Sequence, residues 1–342
     1  MKKTAVRSFD PDIAKMLAIT IVIFVIMVVL NGNFAKSSNL TSMCYQLPEL
    51  GLYSLAMMMV MLTGGIDLSV VSIGNLSAIL AAKVMKYATT NGFSGIKLFC
   101  FVLLGIIVAL CVGCFFGAIN GLVVSKIKIV PMLATMATSE IIEGISIILT
   151  QGHSVNGAPE QFTRYGATTL AAIPYSMWIL ILVIVFTAFL LHRTRFGFEA
   201  KMVGSNPKAS HFTGMNTSRV YTKAYLYSGV VSSICGIMIL MRTNAAKADY
   251  AVTYVMQAIL CAVLGATNPN GGHAKVTCMV LALLSLQFLS SGFNMMHLSS
   301  YFKEFTWGLL LIAVLALNFL TDYIRQKKGQ HKAVPTTGSA AS

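Results

Sequence analysis

Long apolar runs recur along this chain, each bounded by a short polar gap, and they set its architecture. Ten of them lie near residues 13–31, 46–64, 66–85, 98–123, 130–150, 174–192, 220–241, 253–266, 275–293 and 304–322. About 20 mostly apolar residues cross a hydrocarbon layer as one helix, and fewer suffice where a span is broken inside protein. The pattern therefore predicts an all-α integral membrane fold with about ten transmembrane helices. The second and third runs are nearly continuous, split only by Gly64 and Gly65. The eighth is short and ends in a glycine-rich stretch from Gly265 to Gly271 and Gly272. Interruptions in both halves of a chain point to internally repeated transporter architecture, with runs two to five and seven to ten as the two repeats. One membrane domain is expected over 13–322, between a cytoplasmic tail at 1–12 and a second at 323–342. From Gly329 onward the sequence is small and polar without periodicity, which predicts disorder.

Composition removes the soluble alternatives. Of the 342 residues 56% are hydrophobic and 11% charged, and the mean hydropathy is +0.76. A soluble domain carries about a quarter charged residues. The net charge of +14 does not indicate nucleic acid. Its 25 Lys and Arg are spread among the polar gaps, with no basic stripe interleaved with aromatics. Placing the N-terminus inside puts 17 of these on the inner side and 8 on the outer, so both ends belong in the cytoplasm. The 83–97 connection is the exception, with three lysines outside. Either that bias is outvoted, or the span near 66–85 does not cross fully. Asp10 and Asp12 within the basic N-terminal region, and the poor cleavage site Phe34-Ala35-Lys36, favour an uncleaved first helix over a signal peptide.

Seven cysteines lie mostly inside apolar stretches. Cys111 and Cys114 form a C-x-x-C without a second pair or a nearby His, which reads as small soft residues in a helix interface. No metal site is expected.

Polar groups and broken backbone inside a membrane are costly, so each such feature is a candidate for function. At Thr63-Gly64-Gly65-Ile66-Asp67-Leu68-Ser69 two glycines release the helix and an acid follows. Asp67 either lines a wet path or caps the next helix, and the two roles are compatible. Gly113, Gly117 and Gly121, four apart, make a flat groove for close approach of another helix. Asn120 in the same run either lines the solute path or bonds a neighbouring helix. Glu140 and Glu143, three apart, share one helix face. They bind cations, protons or solute hydroxyls in the path, or they snorkel to water from a helix end.

The longest inner connection, 193–219, carries helix signals of its own. Asn206-Pro207 opens a short helix and Gly214 closes it about two turns later. Such a helix is marginal alone in water, but docked in a groove on a partner it transmits movement. The sequence contains no G-x-x-x-x-G-K-[ST], so any ATP dependence comes from a partner.

Several of these segments, in this order, resemble the permeases of the ribose, xylose and galactose ABC importers. They are Thr63 to Val70, Gly117-Ala118-Ile119-Asn120-Gly121, Val130 to Thr135, Arg195-Phe196-Gly197, and the block with Gly204, Asn206, Ala209, Thr213, Gly214 and Met215. The resemblance covers about 45–320. It implies a type II importer-like bundle in a bacterial cytoplasmic (inner) membrane, with a second permease copy or paralogue around a central path. It also implies a soluble solute-binding protein outside and a paired ATPase inside that carries ATP and Mg, this chain binding no cofactor. The block from Gly204 to Met215 would then couple to the ATPase. The implied solute is a monosaccharide, or, in the same family, autoinducer-2 or a small polyol. A proton-coupled secondary transporter is the rival from another class. An integral-membrane enzyme is disfavoured, because the six histidines are scattered and no Ser-His-Asp or Cys-His set converges.

Overall fold

Thirteen α-helices carry the described chain, which in this computed structural model comprises residues 10–170 and 173–332, with side chains described to residue 316. They are α1 (Pro11–Leu30), α2 (Ser37–Leu62), α3 (Val70–Thr90), α4 (Gly95–Leu122), α5 (Pro131–Thr150), α6 (Glu160–Ala167), α7 (Tyr175–Arg193), α8 (Arg195–Ser205), α9 (Pro207–Phe212), α10 (Thr217–Thr243), α11 (Tyr254–Leu264), α12 (Val276–Met295) and α13 (Ser300–Lys332). A π-helical turn at Val123–Ile127 prolongs α4. A helix stands on each of the ten apolar runs, while α6, α8 and α9 lie in the connections.

Among the described residues seven helices are long and apolar enough to cross a membrane: α1, α3, α4 with its π turn, α5, α7, α10 and α12. The most deeply buried helix, α2, is not among them. Residues 47–62 of α2 are all buried, so protein rather than lipid surrounds it and Pro48 and Glu49 are tolerated. Around it α10, α11, α7 and α12 close the main core, with α3 and α4 on the far side of α10. By contrast α1, α5 and α7 expose rows of Ile, Val, Leu and Phe, the surface a bilayer covers.

Successive long helices run antiparallel and gather their ends on two faces. On the first, Lys275 before α12 binds Asp10 and Asp12 at the start of α1, at 2.6 and 2.8 Å. The Lys275 ammonium holds the Asp10 carboxyl below its usual range. This clamp is therefore complete above the ordinary carboxylate pKa and is lost only as pH falls through the lowered one. The same face carries α8 and α9. The opposite face holds the 31–36 turn, α6 and the 244–253 connection, where Val155 pairs with Ala246 in a two-residue antiparallel ladder. α3 runs unbroken between the faces. Lys83 near its far end donates to the Leu149 carbonyl at 2.6 Å, closing the last turn of α5. That lysine has a structural use at the face opposite α8 and α9. α13 continues to Lys332, past residue 323, because Arg325-Gln326-Lys327-Lys328 are good helix formers. Residues 333–342 of the expected tail, and most of the tail at 1–12, lie outside the described residues.

Candidate functional site

The two sequence interruptions, about 200 residues apart, meet in space. After α2 the backbone turns at Gly64, whose φ of +84° suits glycine alone at little cost. Between α11 and α12, Gly271 and Gly272 take φ of +90° and +83°. The Gly272 amide donates to the Leu62 carbonyl at 2.9 Å, satisfying a group that the end of α2 leaves open. Gly204, near the end of α8, sits against both strands of this junction: a Cβ on it would collide with the Leu62 carbonyl oxygen and the Gly272 nitrogen. Gly265, at the other end of the second interruption, packs against the start of α12, where a Cβ would lie 2.5 Å from the Met279 Cα.

Beside the junction lies a buried polar cluster. Asp67 is fully buried. Its Oδ1 accepts from the Ser69 amide at 3.0 Å and the Ser69 hydroxyl at 2.6 Å, and its Oδ2 accepts from the Ser228 hydroxyl of α10 at 2.7 Å. The bond back to Ser69, two residues on, tightens the turn into α3. Asn120 of α4 donates to the Ser69 hydroxyl at 2.8 Å. Thr135 of α5 accepts from the Leu68 amide and donates to the Ile66 carbonyl. One turn thus binds α3, α4, α5 and α10. Two atoms at this cluster, Asn120 Oδ1 and the Tyr225 hydroxyl over Gly65, are buried without a protein partner.

Gly113, Gly117 and Gly121 line the seam between α4 and α10. A Cβ at Gly117 would lie 2.6 Å from the Tyr225 carbonyl oxygen, and one at Gly121 2.6 Å from the Thr222 Cα. Gly113 faces Gly229 across the same seam. Glu140 and Glu143 stand apart from the Asp67 cluster, Glu140 exposed and Glu143 half-buried on α5. The segment 193–219 folds as α8 and α9. Asn206 caps α9 by accepting from the Ala209 amide at 2.9 Å, Thr213 ends it, and Gly214 turns the chain at φ +81° with open space around it.

Sequence reasoning missed the buried ion pair. Glu49 of α2 faces Arg242 at the end of α10 at 2.6 Å, and Tyr250 joins both, accepting from Arg242 at 3.0 Å and donating to Glu49 at 3.3 Å. Burial first, and then the Glu49 carboxylate, push the Tyr250 hydroxyl up to about 12, so it stays a donor. The 193 positions between the two partners leave no local pattern, and a lone acid beside Pro48 reads as the edge of a span.

Comparison with known proteins matches residues 39–315 to the family described as "Branched-chain amino acid transport system / permease component". The chain is 31% identical to the ribose import permease protein of Bacillus subtilis (strain 168) over 297 residues, which cover 86% of this chain and 89% of the relative. It is 29% identical to the ribose import permease protein of Escherichia coli (strain K12), over 89% and 93%. It is 25% identical to the L-arabinose transport system permease protein of the same strain, over 91% and 90%. No solved structure matches it.

Proposed function

The chain belongs to the branched-chain amino acid transport system / permease component family and is a sugar ABC importer permease of the ribose, xylose and galactose type, and from this premise we propose that it moves a monosaccharide inward when ATP is hydrolysed on a separate subunit. Autoinducer-2 or a small polyol is the alternative solute. The proposed assembly has two permease copies or paralogues in the bacterial cytoplasmic membrane, both termini inside, a solute-binding protein outside and a paired ATPase inside. ATP and Mg belong to that ATPase.

One observation carries the mechanism: α8, which leads into α9, touches both broken segments through Gly204. A push on α9 from a partner at this face passes through α8 to the ends of α2 and α12. From there it reaches the Asp67 turn, where four helices meet. That is the arrangement alternating access requires, with two packings of the same helices and a lever that biases them. Asp67 and Asn120 are assigned to the inner end of the proposed path, where Asn120 Oδ1 and the Tyr225 hydroxyl, both buried in this packing, would meet solute hydroxyls once the helices part. Glu140 and Glu143 face the outside of this copy, where a second copy would complete the path.

Reconstitution with a paired ATPase and a binding protein tests the reading. Loaded binding protein should stimulate ATP hydrolysis several-fold. Absence of stimulation with any sugar tried, or uptake that an uncoupler abolishes while ATP stays high, defeats it. Within that system Gly214→Val should insert and assemble, because nothing crowds the site. It should still lose much of the stimulation, since a left-handed β-branched residue costs about 1–2 kcal/mol and bends the exit of α9. Full transport by Gly214→Val would remove α9 from the coupling path.

A further inference from the structure

On the face that carries α8 and α9, a depression of about 580 Å³ opens between the end of α4 and the start of α10. Three cations line it: Lys126 from the π turn, and Arg219 and Lys223 from the first turns of α10. No acid lines it, and among the described residues none of the three is in an ion pair. Three like charges around one hollow repel unless they share an anion. The hydroxyls of Ser218 and Thr222 stand in its wall, donating to Ser125 Oγ and to the Ser218 carbonyl, both at 2.9 Å.

The wall is fixed rather than loose. Ser125 on the π turn is bonded to Ser218 at 2.9 Å and to Thr222 at 3.4 Å, and Gly121 lies directly on Thr222. The backbone positions that carry the three cations are therefore held together by the seam between α4 and α10, while their exposed side chains stay free to close on a ligand. Apolar surface continues from the hollow toward the middle of the bundle. Leu122 on its rim and Leu226, one turn further along α10, are both exposed. A free anion has no use for that surface; acyl chains do.

We infer that this depression is a binding site for an anionic membrane phospholipid, with Lys126, Arg219 and Lys223 around the headgroup phosphate and the acyl chains over Leu122 and Leu226. Basic pockets between transmembrane helices are suited to such headgroups, and charge-assisted bonds to phosphate are the strong class. The inference requires only that the bundle sits in a membrane, so it stands or falls apart from the solute and the ATPase.

Thermal unfolding of the full chain, stripped of lipid in a neutral detergent, tests it. Phosphatidylglycerol should raise the midpoint by about 2–5 °C, whereas phosphatidylcholine of the same acyl chains and inorganic phosphate should leave it nearly unmoved. The variant Lys126→Gln/Arg219→Gln/Lys223→Gln should lose the phosphatidylglycerol shift. The variant Lys36→Gln/Lys97→Gln/Lys247→Gln, which removes the same charge from the opposite face, should keep it. Native mass spectrometry on Lys126→Gln alone, counting retained phosphatidylglycerol, gives the same answer should the triple variant unfold. The inference is overturned if the triple variant keeps the shift. It is overturned equally if inorganic phosphate reproduces the shift, or if Lys126→Gln retains as much lipid as the parent. A triple variant that keeps its lipid response but no longer assembles with a second copy or an ATPase would assign the hollow to a protein partner instead.

Discussion

Arg242→Met should destabilise the bundle by about 3–5 kcal/mol, because it strips Glu49 of its cation inside the protein. The Glu49 side chain is only 2% exposed, so water cannot take the place of the guanidinium. Tyr250 alone cannot neutralise it. Glu49→Gln should cost less, since Arg242 is 29% exposed and can turn toward solvent. The double variant Glu49→Leu/Arg242→Met should recover much of the loss, because a buried pair replaced by apolar side chains of similar volume is often neutral. Unfolding midpoints of the four proteins in one detergent close the cycle. If the two single costs simply add, the charges are not coupled and the pair is incidental. Asn75 of α3 binds the same 244–253 connection through the carbonyls of Ala248 and Tyr250, both at 2.9 Å. The face opposite α8 and α9 is therefore fastened at two points around one loop.

The sequence pattern located every long helix because apolar length is a local property. It was less able to say where a helix surrounded by protein begins. α2 starts at Ser37, nine residues before its apolar run, since a helix covered by neighbours need not be apolar throughout. Glycine spacing found the α4 groove and both breaks, because glycine is needed wherever backbones touch or φ is positive. It could not reveal that the breaks touch each other across Gly204, a contact made by residues from three distant parts of the chain. Acid spacing placed Glu140 and Glu143 on one helix face without saying which way that face looks. The buried acid was Glu49, whose partner lies on another helix. Asp67 was legible as a turn residue, while its bonds to Ser228 and, through Ser69, to Asn120 depend on tertiary packing.

Gly204→Ala should uncouple the transporter. The added methyl meets backbone on both sides, the Leu62 carbonyl and the Gly272 amide, and neither can rotate away as the tip of a side chain can. Either the hydrogen bond between those two groups opens or α8 withdraws, at about 1–3 kcal/mol for overpacking. A bias of 1.4 kcal/mol between two packings is already tenfold in their populations, so transport should fall by about tenfold or more. Basal ATP hydrolysis should persist while its stimulation by loaded binding protein disappears. Gly144→Ala on α5, where nothing lies within 4 Å of the new Cβ, is the matched control and should transport normally. Its helix should gain slightly, because alanine is favoured over glycine there by about 1 kcal/mol. Wild-type stimulation in Gly204→Ala would break the proposed lever at Gly204, where an added Cβ meets the backbone of both interrupted segments.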